Sequence, residues 1–142
     1  MTLVKICGLR DAETAREAAK AGADFIGIVF AESKRRVTPQ ECHDIVEALK
    51  AGRSQGRDTV FGGPGRGEVS ARSWYGAWND AIDESLARAH PLIVGVFADM
   101  TIEQVNDIAE AAGIDLVQLS GAEDDRFVRA IEKPVIRVVH VG

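Results

Sequence analysis

Lys5 and Cys7 stand two residues apart in the short apolar stretch "LVKICGLR". In a strand they share one face, with Val4 and Ile6 on the other, because successive side chains alternate. The spacing thus puts an amine and a thiol side by side. A free thiol ionises near pH ~8.5, so a modest shift makes it a thiolate at neutral pH, and a lysine on the same face can supply that shift. Taken alone, a cysteine reads as a small buried hydrophobe. The next concentration of chemical groups is "SKRRV", 33 to 37. There a guanidinium such as that of Arg35 is suited to grip a planar carboxylate through two parallel hydrogen bonds, which a lysine does not reproduce. By surface statistics alone the same loop reads as solvated charge. Further on, Gln118 and Arg137 interrupt two stretches that are otherwise apolar.

These groups need elements to hold them. "RDAETAREAAKAG" reads as a helix with Asp11 as N-cap, Ala12, Ala15 and Ala19 on one face and Gly22 as its stop. A strand "FIGIVF" follows at 25 to 30. Then "TPQECHDIVEALKAG" opens on Thr38 as N-cap, Pro39 at the first helical position and Glu41 placed to return the capping bond. Its spacing makes Cys42, Ile45, Val46 and Leu49 a core face. From about 51 to 73 the chain is dense in Gly, Arg and Ser without periodicity, which predicts a flexible surface insertion. "GGPGRG" within it lacks the Lys-Ser/Thr ending of a phosphate loop. A helix with Trp74, Trp78, Ile82, Ser85 and Leu86 near one face comes next, its aromatics anchoring the insertion to the body.

The alternation then resumes with "LIVGVFA", a helix capped by Thr101 and Gln104, "LVQLS", a short helix near "DRFVRAIE" and "VIRVVHV". "AGADFIG" and "AGIDLVQ" echo one another as helix end, Gly, one residue, Asp, strand. Repeated β-α units predict parallel strands with helices outside them. Five such strands fit either an open doubly wound sheet or five-eighths of an eight-stranded β/α barrel. Lys5, Gln118 and Arg137 favour the barrel, because they would line a polar interior.

Composition narrows the function classes. The chain has 142 residues, 46% of them hydrophobic, a net charge of -5 and a pI near 5.2. That size fits one globular domain, and the acidic balance argues against a general nucleic-acid binder. No apolar run is long enough to span a membrane, no signal-peptide pattern opens the chain, and a cytoplasmic protein is expected. Two cysteines, Cys7 and Cys42, make neither a disulfide framework nor a zinc motif, so no structural zinc is expected.

"KICG" at the first strand, "GIVFAESKRRVTPQE" after the second, "VGVFAD" in the third and "VQLSG" in the fourth are together similar to the phosphoribosylanthranilate isomerase family of tryptophan biosynthesis. The resemblance covers essentially all of the chain outside the 51 to 90 region, and a long insertion there looks like the fungal versions. It implies a parallel (β/α)8 barrel of which about five β/α units are present, residues 1–142 being the N-terminal part of one isomerase domain. It further implies a cofactor-free Amadori rearrangement of N-(5-phosphoribosyl)anthranilate to 1-(2-carboxyphenylamino)-1-deoxyribulose 5-phosphate. Fusion to other domains of the pathway is implied as well.

Within that resemblance Cys7 matches the family's general base and Arg35 the arginine that holds the anthranilate carboxylate. Lys5, Gln118 and Ser120 are placed to line the same site, and Lys34 and Arg36 keep the solvated reading. Ser120 departs from the family's usual histidine and loses a group that titrates near neutral pH. The family's general acid sits on the strand after the fifth, and its phosphate site lies in the loops after the last two strands. Asp99, at the end of the third strand, is the nearest carboxylate by position. The chain is therefore expected to be a piece of a longer polypeptide. The alternative expectation is a truncated, inactive barrel that serves as a binding or assembly module through its open strand edges.

Overall fold

The computed structural model of the chain describes residues 2–51 and 70–142. Its elements run β1 (Lys5–Cys7), α1 (Ala12–Lys20), β2 (Phe25–Val29), α2 (Pro39–Lys50), α3 (Ala71–Arg88), β3 (Leu92–Phe97), α4 (Ile102–Ala112), β4 (Leu116–Leu119), α5 (Asp125–Ala130) and β5 (Val135–Arg137). The strands lie in the order β1-β2-β3-β4-β5, every neighbouring pair parallel. A doubly wound sheet reverses its strand order part-way across; an unbroken order is that of a barrel wall. The choice that residue pattern left open is settled for the barrel.

Of the three polar residues expected to line the interior, two do so. Lys5 and Gln118 do lie on the inner face, where the Lys5 ammonium donates to Gln118 Oε1 across the sheet. Arg137 does not. Its guanidinium pairs with Asp125 at the start of α5, on the helix side, because the alternation that turns Ile136 inward turns Arg137 outward. Val4 also departs from expectation. Ile6 packs toward the helices, but Val4 precedes the strand and remains 48% exposed.

The outer face is sealed by helices. Ile26, Ile28, Ile93, Phe97, Val117 and Leu119 join Ala15 and Ala18 of α1, Cys42, Ile45, Val46 and Leu49 of α2, and Val105 and Ala109 of α4 in one core. On α1 the buried pair is Ala15 and Ala18, with Ala12 and Ala19 only half-buried. Thr38 and Thr101 make the expected capping boxes, and Asp11 caps α1. β5 is shorter than "VIRVVHV" suggested, ending at Arg137.

A second, smaller core fills the inner face at the N-terminal end of the strands. It joins Phe25, Leu92, Val94 and Leu116 to Ile82, Leu86 and Ala89. Helix α3 therefore does two jobs: Trp74 and Trp78 enter the outer core, while Ile82 and Leu86 press on the floor of the inner one. Of the insertion expected at 51–73, residues 52–69 lie outside the described residues. The helix begins at Ala71, earlier than its apolar pattern suggested, because Ser70 caps it by accepting from Ser73 N.

The "AGAD" and "AGID" echo has a physical basis on the same floor. Gly22 and Gly113 take the left-handed conformation that ends each helix, with φ of +94° and +71°. Two residues on, Asp24 accepts from Val4 N at 2.7 Å and Asp115 from Ile93 N at 2.8 Å. Each carboxylate thus satisfies an amide at or just before the start of the preceding strand.

Candidate active site

Cys7 ends β1 at the opposite, C-terminal end of the sheet, and its side chain is exposed at that mouth. Its register partner on β2 is Gly27. A Cβ on Gly27 would fall 2.6 Å from Cys7 Sγ and 3.0 Å from its Cβ. The thiol therefore lies in space that only glycine leaves open. The Gly27 carbonyl also accepts from Gly8 N at 2.9 Å and from Leu9 N at 3.3 Å, which pins the turn that follows Cys7.

Gly8 makes that turn with φ of +83°, a left-handed conformation favoured by glycine. The position has a second reason to lack a side chain, since a Cβ there would lie 2.7 Å from Arg35 Cδ and 2.9 Å from its Nη1. The Arg35 side chain thus lies against the residue that follows Cys7. Its loop is shaped by Ser33, whose hydroxyl accepts from Arg35 N at 3.1 Å and whose carbonyl accepts from Arg36 N at 3.1 Å. Val37 N then returns to Val29 O at 3.0 Å. Thiol and guanidinium, 28 positions apart in the chain, are brought to adjacent residues by two glycines. Lys34 and Arg36 are exposed.

Along the inner face, Lys5, Gln118 and Ser120 form a chain. The ammonium donates to Gln118 Oε1, and Gln118 Nε2 donates to Ser120 Oγ at 3.2 Å. His140 Nε2 donates to the Ser120 carbonyl at 2.8 Å. All three members of the chain are half-buried. Lys5 thus directs its charge across the sheet toward β4.

Asp99 lies beyond β3, exposed, with φ of +56°. The carboxylate of Glu123 braces it, accepting from Asp99 N at 3.1 Å and from Gly121 N at 2.9 Å. Sequence reasoning passed over Glu123 and the role of Gly27. The first is one acid among 22, and the second becomes visible only once register sets Gly27 beside Cys7. The other thiol is different in kind. Cys42 is fully buried on α2, and burial pushes its pKa up to about 12. Among the described residues no three His, Cys, Asp or Glu side chains gather to hold a metal. Among the described residues, too, no helix is long and apolar enough to cross a membrane.

Comparison with known proteins places the chain. The profile of the family "N-(5'phosphoribosyl)anthranilate (PRA) isomerase" matches residues 57–142. The chain belongs to the phosphoribosylanthranilate isomerase family. It is 37% identical over 142 residues to the N-(5'-phosphoribosyl)anthranilate isomerase of Dehalococcoides mccartyi, covering all of this chain and 49% of that protein. It is 38% identical over 139 residues to the multifunctional tryptophan biosynthesis protein of Phycomyces blakesleeanus, covering 97% of this chain and 17% of that one. Relative to the first, the chain spans about half the length; relative to the second, under a fifth. Among solved structures, a phosphoribosylanthranilate isomerase in complex with reduced 1-(o-carboxyphenylamino)-1-deoxyribulose 5-phosphate superposes with a TM-score of 0.68 at 26% identity, over 100% of this chain and 55% of that one.

Proposed function

We propose that this chain carries the base-bearing half of a phosphoribosylanthranilate isomerase site, within an N-terminal part, residues 1–142, of a single β/α-barrel domain. The substrate is N-(5-phosphoribosyl)anthranilate. A general acid protonates the ribose ring oxygen, the C1–O bond breaks, and the aniline nitrogen's lone pair forms the C1=N Schiff base. The Cys7 thiolate then removes the proton from C2, and the electrons of that C–H bond move into C1=C2 as those of C=N return to nitrogen. The enolamine tautomerises to the ketone of 1-(2-carboxyphenylamino)-1-deoxyribulose 5-phosphate. Arg35 holds the anthranilate carboxylate meanwhile, and no cofactor is needed. By family resemblance the acid and the phosphate loops belong to strands that follow β5.

The observation that carries this reading is the placing of Arg35 against Gly8, one residue from Cys7. A carboxylate gripped there holds the aniline nitrogen, and with it C1 and C2, over the thiol. The test is alkylation of the chain by iodoacetamide, followed peptide by peptide. Cys7 is expected to react and buried Cys42 to stay unmodified, and the reduced product analogue is expected to slow the Cys7 reaction. Arg35→Lys should lose most of that protection. A Cys7 rate indifferent to saturating analogue would overturn the reading.

The four exposed large hydrophobics among the described residues, Leu3, Val4, Val139 and Val141, flank the two edge strands. They favour a second reading, a binding or assembly module that pairs through those edges. Such a module has no reason to protect Cys7.

A further inference from the structure

The hydrogen-bond chain on the inner face has a direction, and the direction is forced. An ammonium only donates, so the Gln118 oxygen must face Lys5 and its NH2 must face Ser120. An amide nitrogen has no lone pair to offer, so Ser120 Oγ must accept. The hydroxyl proton of Ser120 is then turned away from the chain, and among the described residues no acceptor takes it. Ser120 follows β4 at the mouth of the sheet and is half-buried. A cation at the far end polarises the amide between, which strengthens each successive donor.

We propose that Lys5 and Gln118 are positioning residues that commit the Ser120 hydroxyl to donate outward, making it a binding group for an acceptor oxygen, anionic oxygens above all, of the ligand at the mouth. The proposal rests on the isomerase reading for the identity of that ligand, whose carboxylate and phosphate are both of this class. A histidine in the same position would titrate near neutral pH; a serine does not. It also rejects a ligand that presents only an N–H there, since two donors would face each other.

Gln118→Glu reverses the polarity without shortening the side chain. A carboxylate accepts from Lys5 and from Ser120 alike, so the hydroxyl proton turns inward and a lone pair faces the ligand. Titration of the 142-residue chain with the reduced product analogue should show Gln118→Glu binding about tenfold more weakly, as expected for loss of a hydrogen bond to a charged group. In a Ser120→Ala background the same change should weaken binding distinctly less, because any general effect of the added charge acts in both backgrounds and cancels in the cycle, leaving the share that passes through the hydroxyl. In the ligand-free chain labelled with 15N, the Gln118 side-chain amide resonances should move in both Lys5→Met and Ser120→Ala.

Resonances that stay in place overturn the chain itself. Equal effects of Gln118→Glu in the two backgrounds overturn the outward donor while leaving the isomerase reading untouched. If the wild-type chain neither binds the analogue nor shields Cys7, the isomerase reading falls, and the ligand assigned to Ser120 falls with it.

Discussion

The two ends of the sheet are built by opposite rules. At the floor the same solution is used twice: a left-handed glycine ends the helix, and an aspartate two residues later receives a backbone amide at or near the start of the preceding strand, as Asp24 and Asp115 do. At the mouth the surroundings of Cys7 are not repeated on the other strands. Gly8 and Gly27 leave clearance for a guanidinium and a thiol, Glu123 braces two loops, and Lys5 reaches across to Gln118. Stability imposes a common requirement on every β-α turn, so its answers recur. Chemistry asks something different of each loop, so its answers do not.

If that division holds, a change at the mouth removes activity and spares the fold. Cys7→Ala should lower turnover by about 10²- to 10⁴-fold, the usual worth of a positioned general base. It should leave the thermal midpoint within a degree or two. Turnover is to be measured on the polypeptide as recovered from its source cells. A large drop in midpoint would break the comparison.

A change at the floor should do the reverse. Asp115 is 6% exposed, and its loss strands the Ile93 amide. Asp115→Ala should cost about 1–3 kcal/mol in denaturant unfolding, the penalty for a buried amide without a partner. Cys7 in the folded fraction should alkylate at the wild-type rate.

Two glycines sharpen the comparison within one sheet. A methyl at Gly95 would meet Ile114, Phe97 and Phe30 on the helix side, whereas one at Gly27 would meet Cys7. Both alanine variants should lose about 1–2 kcal/mol through overpacking. Only Gly27→Ala should also change the Cys7 alkylation rate, and a matching change in Gly95→Ala would erase the distinction.

The smallest effect expected is acid-side and belongs to the floor. The hydrogen bond with the His90 side chain, and next the amide of Val4, hold the Asp24 carboxyl below its usual value. A carboxyl so lowered lends stability above its unfolded pKa and loses it as pH falls through the folded one. Asp24→Asn should therefore start less stable near neutrality and decline less steeply from about pH 4 downward, read as melting temperature against pH.

Most of the floor was legible in the residues themselves. Glycine stops and the Gly-x-Asp echo are local signals, although the amides that Asp24 and Asp115 receive are fixed only by the fold. The mouth was legible in the types of its side chains but not in its architecture. Cys7 and Arg35 stand out by type, yet the glycines that seat them act across strands, where register decides which residue faces which. Arg137 shows the cost of judging a face from polarity alone: one step of alternation carried it to the helix side, where Asp125 meets it. Ser70 as N-cap of α3 was hidden for another reason, since the Gly- and Ser-rich run before it lacks an apolar rhythm from which a helix start is usually counted.

The packing of Ile82 and Leu86 beneath Phe25, Leu92 and Leu116 has an electrical consequence. Lys5 pairs in register with Phe25, so its stem rises from the level of that hydrocarbon plug. Hydrocarbon below is scarcely polarisable and water above is strongly so, which bends the field of the ammonium toward the open end. An anion near the inner face therefore feels the ammonium most strongly from the open end.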